Sequence, residues 1–250
     1  MDICNTMSRK LPIGIQSFEK LRTGGYLYVD KTELVYRLAK AGIPCFLSRP
    51  RRFGKSLLLS TLEAYFLGKK DLFKGLAIER LEQDWLVYPV MHLSLNAEKY
   101  DSNERLANLL ESQLEAWEAE YGVTEINRSY SIRFMTVIRR AYEQTGRRVV
   151  VLVDEYDKPM LRSFDNPELQ RDFRETLMAF YTVLKDADAY LQLVFITGVT
   201  KFAQMGIFSN LNQLQDISLH PAYTTLCGMT RAEIEAVFAP ELQSLARGNG

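Results

Sequence analysis

A chain of 250 residues with 47% apolar, 25% charged and 11% aromatic content can bury one large core, with room for a small appendage. Its 31 basic residues balance 31 acidic ones, so the surface as a whole is not a nucleic-acid footprint, although a local basic patch remains open. Cys4, Cys45 and Cys227 are widely spaced without a C-x-x-C, which argues against a zinc or disulfide framework and for a reducing compartment. Met1-Asp2-Ile3 opens no secretory signal. The longest aliphatic run, Val149 to Val153, is far short of the roughly 20 residues that span a bilayer, so the expectation is a cytoplasmic protein without a membrane segment.

In chain order, Tyr26, Tyr28 and Asp30 alternate against Leu27 and Val29, which predicts a short strand or an extended arm. Thr32 is placed to cap a helix over 33–41, and Gly42 to stop it. One reading has Tyr28 and Asp30 cover the base or ribose of a nucleotide; the other is an edge strand packed on the core.

The run Cys45 to Leu59 is the centre of the sequence. A short apolar stretch, a basic loop, Gly54-Lys55-Ser56 and an apolar segment of helical length read as strand, phosphate loop and helix. The pattern G-x-x-x-x-G-K-[ST] is complete in its second half, while Arg49 stands in place of the first glycine. A helix starting near Lys55 points bare N–H groups and its positive dipole end into the loop. Gly54 permits close backbone approach, Lys55 supplies a point charge and the Ser56 hydroxyl suits Mg²⁺. Pro50 cannot donate an N–H, so this loop starts differently from the usual one. Alone, the stretch is equally compatible with a turn followed by a buried helix.

Downstream, the periodicity predicts an apolar helix over 56–67, ended by Gly68, then a loop with a short helix over 71–88. A strand follows over 90–95, in which His92 reads as a hydrogen-bonded core residue and not a ligand, since no second His or Cys lies at ligand spacing. Helices are expected over 102–121 and 129–145. Val149 to Val153 then form a strand buried on both faces, closed by Asp154 and Glu155. An acid at such a strand end suits Mg²⁺, the role given to Asp154, and the adjacent Glu155 is placed to polarise a water. That pairing turns the loop reading towards nucleotide.

Asn166-Pro167 starts a helix reaching about Lys185 that carries Arg171 and Arg174. Leu191 to Thr197 forms a further buried strand, with Thr197 or Thr200 the candidate reader of the terminal phosphate or of the attacking water. A short last strand over 216–219 completes a sheet of about five. His220 is a loop residue, and Thr230-Arg231-Ala232-Glu233 is a capping box opening a helix that Pro240 interrupts. The alternation of strands and helices predicts a three-layer α/β fold with mainly parallel strands.

The segments 28–32, 48–62, 153–159 and Ile196-Thr197-Gly198-Val199-Thr200-Lys201-Phe202 closely resemble the AAA-ATPase-like proteins of bacteria and archaea, over about Leu11 to Phe238. In that family the arginine-rich loop without a first glycine is the usual form. The resemblance implies an additional-strand P-loop NTPase core of AAA/STAND type spanning 1–228, with 229–250 the start of a helical lid. It implies ATP and Mg²⁺ as cofactors. Arg51, Arg52, Phe53, Gly54, Lys55, Ser56 and Leu57 would form the loop, Ser56 and Asp154 would hold the metal, and Glu155 would be the base. Members usually continue into a restriction-endonuclease-like nuclease domain, so a chain stopping at Gly250 is expected to be a truncated piece or a short member.

Three functions stay open: an ATPase driving or gating an attached effector domain, with an arginine finger from Arg51, Arg52, Arg171, Arg174 or a neighbouring subunit of a homo-oligomer; a slow nucleotide switch regulating a nuclease-like partner; and a nucleic-acid-binding module using Arg49 to Arg52.

Overall fold

The computed structural model describes residues 9–124, 128–201, 206–208, 211 and 213–248. Cys4 and Phe202 lie outside them. Five parallel strands form one sheet: β1 (Cys45–Ser48), β2 (Val90–Ser94), β3 (Val149–Asp154), β4 (Leu191–Gly198) and β5 (Gln215–Asp216), in the order β2-β3-β4-β1-β5. The strand carrying Thr197 therefore lies between the strand that enters the Gly-Lys-Ser loop and the strand that ends in Asp154.

Strand β3 is buried along its whole length, and its residues Val149 to Val153 are all apolar because both of its faces are covered. Side chains alternate across a strand, so Val149, Val151 and Val153 join one core while Val150 and Leu152 join the other. Strand β4 divides in the same way, sending Val194 and Ile196 to the first core and Leu193 and Phe195 to the second. Helices α5 (Asn103–Glu120), α6 (Tyr130–Thr145) and α8 (Pro167–Asp186) cover the first face, with the short α7 (Lys158–Arg162) leading into α8. Helices α1 (Phe18–Thr23), α2 (Thr32–Ala41), α3 (Lys55–Phe66) and α4 (Ile78–Leu81) cover the second. The result is the expected three-layer α/β fold.

The N-terminal arm is extended, not a strand. Leu27 N donates to Lys10 O at 2.9 Å, Tyr26 forms one bridge with Lys10, and no ladder continues. Aromatic packing takes over instead, as Tyr28 meets Phe18 edge-on with centroids 5.5 Å apart. Thr32 is the first residue of α2 and not its cap; Asp30 accepts from its N–H at 2.8 Å. Strand β5 is shorter and earlier than 216–219. After Ile217 N donates to Phe46 O at 2.9 Å, the Ser218 hydroxyl replaces the ladder by accepting from Ser48 N at 2.8 Å.

Past the sheet, α9 (Arg231–Val237) opens on a complete Thr230–Glu233 capping box, and α10 (Ala239–Gly248) starts afresh with Pro240 in its first turn. Ion pairs Lys31–Glu233 and Arg9–Glu241 tie these helices to the N-terminal arm.

Candidate functional site

Strand β1 leaves the sheet at Ser48, and the loop begins as Arg49 N donates to Gly198 O at 3.1 Å. The Arg49 guanidinium donates to the carbonyls of Ser48 at 2.9 Å and Ser218 at 2.7 Å. A side chain that ties loop and post-β5 segment together thus stands where a turn glycine usually does. Arg52 (φ 68°) and Gly54 (φ 86°) both adopt left-handed backbone on the way into α3. A Cβ on Gly54 would meet nothing within 4 Å, so conformation and not crowding calls for glycine there.

Helix α3 starts without a side-chain cap or an acid in its first turn, whereas α1, α8 and α9 are capped by Ser17, Asn166 and Thr230. Its leading N–H groups and dipole are left for an anion. Lys55, buried at 5% exposure, donates through Nζ to Arg49 O at 2.9 Å and Pro50 O at 3.2 Å, linking the helix to the start of its own loop.

Ser56 Oγ donates to Asp154 Oδ2 at 2.6 Å across 98 residues of sequence. Thr197 Oγ1 donates to Asp154 Oδ1 at 2.7 Å, so the N-terminus of α3 and the end of β4 converge on the buried carboxylate that ends β3. The alignment follows from register: Leu47 pairs with Thr197, and Asp154 lies one residue beyond the Val153–Ile196 pair. A hydroxyl and a carboxylate sharing a hydrogen bond are hard oxygen donors of the kind Mg²⁺ takes, with phosphate and water completing its shell. Among the described residues there is no cluster of three or more His, Cys, Asp or Glu to hold a metal by itself. The residues therefore fit Mg²⁺ bound together with phosphates.

Glu155 also has left-handed backbone (φ 53°), and its Oε2 lies 3.5 Å from Lys158 Nζ. Tyr156 N donates to Thr197 O at 3.0 Å and Tyr156 Oη to Thr200 O at 3.2 Å. Asp157, 1% exposed, accepts at Oδ2 from Val199 N at 2.9 Å and Thr200 N at 2.6 Å. The turn after β4 is thus clamped by the residues just after the Asp-Glu pair. Of the two candidate threonines, Thr197 touches Asp154; Thr200 is held through its backbone. Asp157 and Lys158 escaped the sequence reading: three acids in Asp154-Glu155-Tyr156-Asp157 do not reveal which one faces a backbone turn.

Arg51 and Arg52 are exposed on the loop, and Phe53 is 46% exposed while its carbonyl accepts from Gly228 N at 3.1 Å. Cys227 lies beside this segment. Burial pushes its thiol up to about 11 against the pull of Arg49, Lys55 and Lys31. Leu57 packs against the core under α3.

Two predicted contacts are not gathered with the rest. Asp30 gives one oxygen to Thr32 N and to Thr32 Oγ1 (2.7 Å) and the other to Ala77 N (2.7 Å). Tyr28 bonds Thr61 within α3, and burial holds its hydroxyl protonated far beyond the usual range. Arg171 pairs loosely with Asp172 at 3.9 Å, and among the described residues neither it nor Arg174 bonds to the cluster. His92 Nδ1 lies 3.1 Å from Glu63 Oε2, hydrogen-bonded as expected, but its side chain is 27% exposed, so it sits at the margin of the core and not within it.

No helix is long and apolar enough to cross a membrane among the described residues. The sequence model of the family described as "Predicted AAA-ATPase" matches residues 12–208. An uncharacterized protein encoded in the vnfD 5′ region of Azotobacter chroococcum mcd 1 is 45% identical over 244 residues, covering 96% of this chain and 47% of the relative. The chain thus spans about half the length of the curated relative it matches. No solved structure matches it. Since the family match runs from the N-terminal arm through the Gly-Lys-Ser loop, the Asp-Glu strand and all of β4, this chain belongs to the predicted AAA-ATPases, a family of nucleotide-binding modules.

Proposed function

We propose that the chain binds Mg-ATP at the head of α3 and hydrolyses it, driving or gating an effector domain of a longer protein. The observation that carries this reading is the 2.6 Å bond between Ser56 and Asp154, since it joins the phosphate-loop hydroxyl to the strand-end acid. Ser56 and Asp154 would hold Mg²⁺, which would supply charge neutralisation at the terminal phosphates. Lys55 would exchange the carbonyls of Arg49 and Pro50 for phosphate oxygens. The first N–H groups of α3 would orient the anion, and Thr197 would hold Asp154 in place through Oδ1. Glu155 would accept a hydrogen bond from the attacking water and orient it.

The test is thermal unfolding with Mg-ATP for wild type and Lys55→Ala. Ligand at 100 times its Kd adds about 2.7 kcal/mol to a folded protein that alone binds it. Wild type should be stabilised and Lys55→Ala should lose most of the shift. Equal shifts in the two proteins would remove the phosphate-loop assignment. Phosphate release by wild type and by Glu155→Gln then separates turnover from binding. A loss of about 10²-fold or more is expected for the variant, and equally slow release from both would favour the nucleotide switch.

A further inference from the structure

We infer that Lys158 is a positioning residue for Glu155, and that Asn96, just past the end of β2, anchors it; the inference rests on the ATPase reading above. Three acceptors surround the Lys158 ammonium: Asn96 O at 2.8 Å, the Asn96 side-chain oxygen, and Glu155 Oε2 at 3.5 Å. Two of its three donors are held by Asn96, and Glu155 lies at ion-pair distance from the same ammonium. The Lys158 side chain is only 15% exposed and that of Glu155 23%, so the pair is partly withdrawn from solvent and less screened than a surface pair.

Neither backbone is free to drift. Lys158 N donates to Glu155 O at 3.0 Å, closing a turn between them, and Glu155 is in the left-handed region that side-chain-bearing residues rarely adopt. Strand β2 is registered on β3 up to the Ser94–Asp154 pair, and Leu95 N donates to Asp154 O at 3.1 Å. Asn96 follows directly on this ladder and is thereby placed next to the acids. The ammonium lies at Oε2, so on this inference Oε1 of Glu155 is the oxygen that would accept from water. Lys158 acts through Glu155: among the described residues its side-chain hydrogen bonds and ion pair go to Asn96 and Glu155, not to Ser56 or Asp154. The edge strand β2 thus helps to place the base although it carries no residue of the phosphate loop.

The experiment compares Lys158→Met, Lys158→Arg and Asn96→Ala for Mg-ATP affinity and single-turnover hydrolysis, each also in a Glu155→Gln background. Lys158→Met should lower the hydrolysis rate by about 10- to 100-fold, the scale of a base displaced by about 1 Å, with affinity unchanged. Lys158→Arg should recover part of the loss, and Asn96→Ala should fall in the same direction by less. In Glu155→Gln the Lys158→Met change should have almost no further effect, because the two act as one unit.

Wild-type turnover by Lys158→Met, a full additional loss in Glu155→Gln, or a matching fall in affinity would each overturn the inference. A wild-type protein that binds but does not hydrolyse ATP would sink the ATPase reading instead. The positioning claim is then read directly from a crystal structure of Lys158→Met, where a displaced Glu155 carboxylate upholds it and an unmoved one refutes it.

Discussion

Gly198→Ala tests how tightly the end of β4 is packed against the Asp-Glu segment. A Cβ at Gly198 would lie 2.4 Å from Tyr156 Cε1, 2.5 Å from Cδ1 and 2.9 Å from Asp157 Oδ1. Carbon atoms pack at about 3.5–4.0 Å, so the ring must move by more than about 1 Å. It has nowhere to go: Tyr156 is fully buried, edge-on to Phe46 at 5.4 Å and against Phe208 at 5.0 Å. Overpacking costs about 1–3 kcal/mol. Disturbing the bonds from Tyr156 Oη, Val199 N and Thr200 N strands buried polar groups and adds about 1–3 kcal/mol. The sum is about 4 kcal/mol, a fall in Tm on the order of 10 °C for a chain of this size.

Urea unfolding measures it, with Gly54→Ala as comparison. At Gly54 space is open and only the left-handed backbone resists, a cost of about 1–2 kcal/mol. Combining Gly198→Ala with Tyr156→Leu should cost at least about 1 kcal/mol less than the separate changes added together. A Gly198→Ala protein within about 0.5 kcal/mol of wild type would refute the argument.

Asp30→Ala should destabilise by about 1–2 kcal/mol, because three donors lose their acceptor, while leaving the Mg-ATP thermal shift intact; a lost shift with unchanged stability would return Asp30 to the ligand. Burial opposes ionisation of Glu82, but hydrogen bonds from Tyr65 and Lys40 bring its carboxyl from 4.5 down to about 2. Ionised Glu82 therefore adds stability above about pH 4.5 that is lost as pH falls towards about 2, at most about 3 kcal/mol in total. Urea midpoints between about pH 6 and pH 3 should show a flatter dependence for Glu82→Gln; parallel curves would contradict this. Arg133, 3% exposed, forks onto Glu118 with both bonds at 2.7 Å. Arg133→Leu should cost about 3–5 kcal/mol by stranding a buried carboxylate, and adding Glu118→Leu should recover most of it in the same unfolding assay.

The order of elements was legible in the residues because its signals are local. Gly-Lys-Ser after an apolar run specifies strand, loop and helix, and five aliphatics ending in Asp-Glu specify a strand covered on both faces, whatever lies elsewhere in the chain. Capping works likewise: the Thr230 box forms within four residues.

What needed the tertiary structure is every choice that depends on which neighbour a side chain faces. Alternation along the arm marks Tyr28 and Asp30 as a pair, yet packing against Phe18, Thr61 and Ala77 claims both. Arg49 looks like loop charge until the carbonyls of Ser218 and Tyr223, from the segment after β5, are seen to accept from it. Thr197 and Thr200 are equivalent in sequence, and the register of β4 between β1 and β3 brings Thr197 to Asp154. Strand order places β2 beside β3, and with it Asn96 beside Lys158, a relation between residues 62 positions apart that no local pattern encodes.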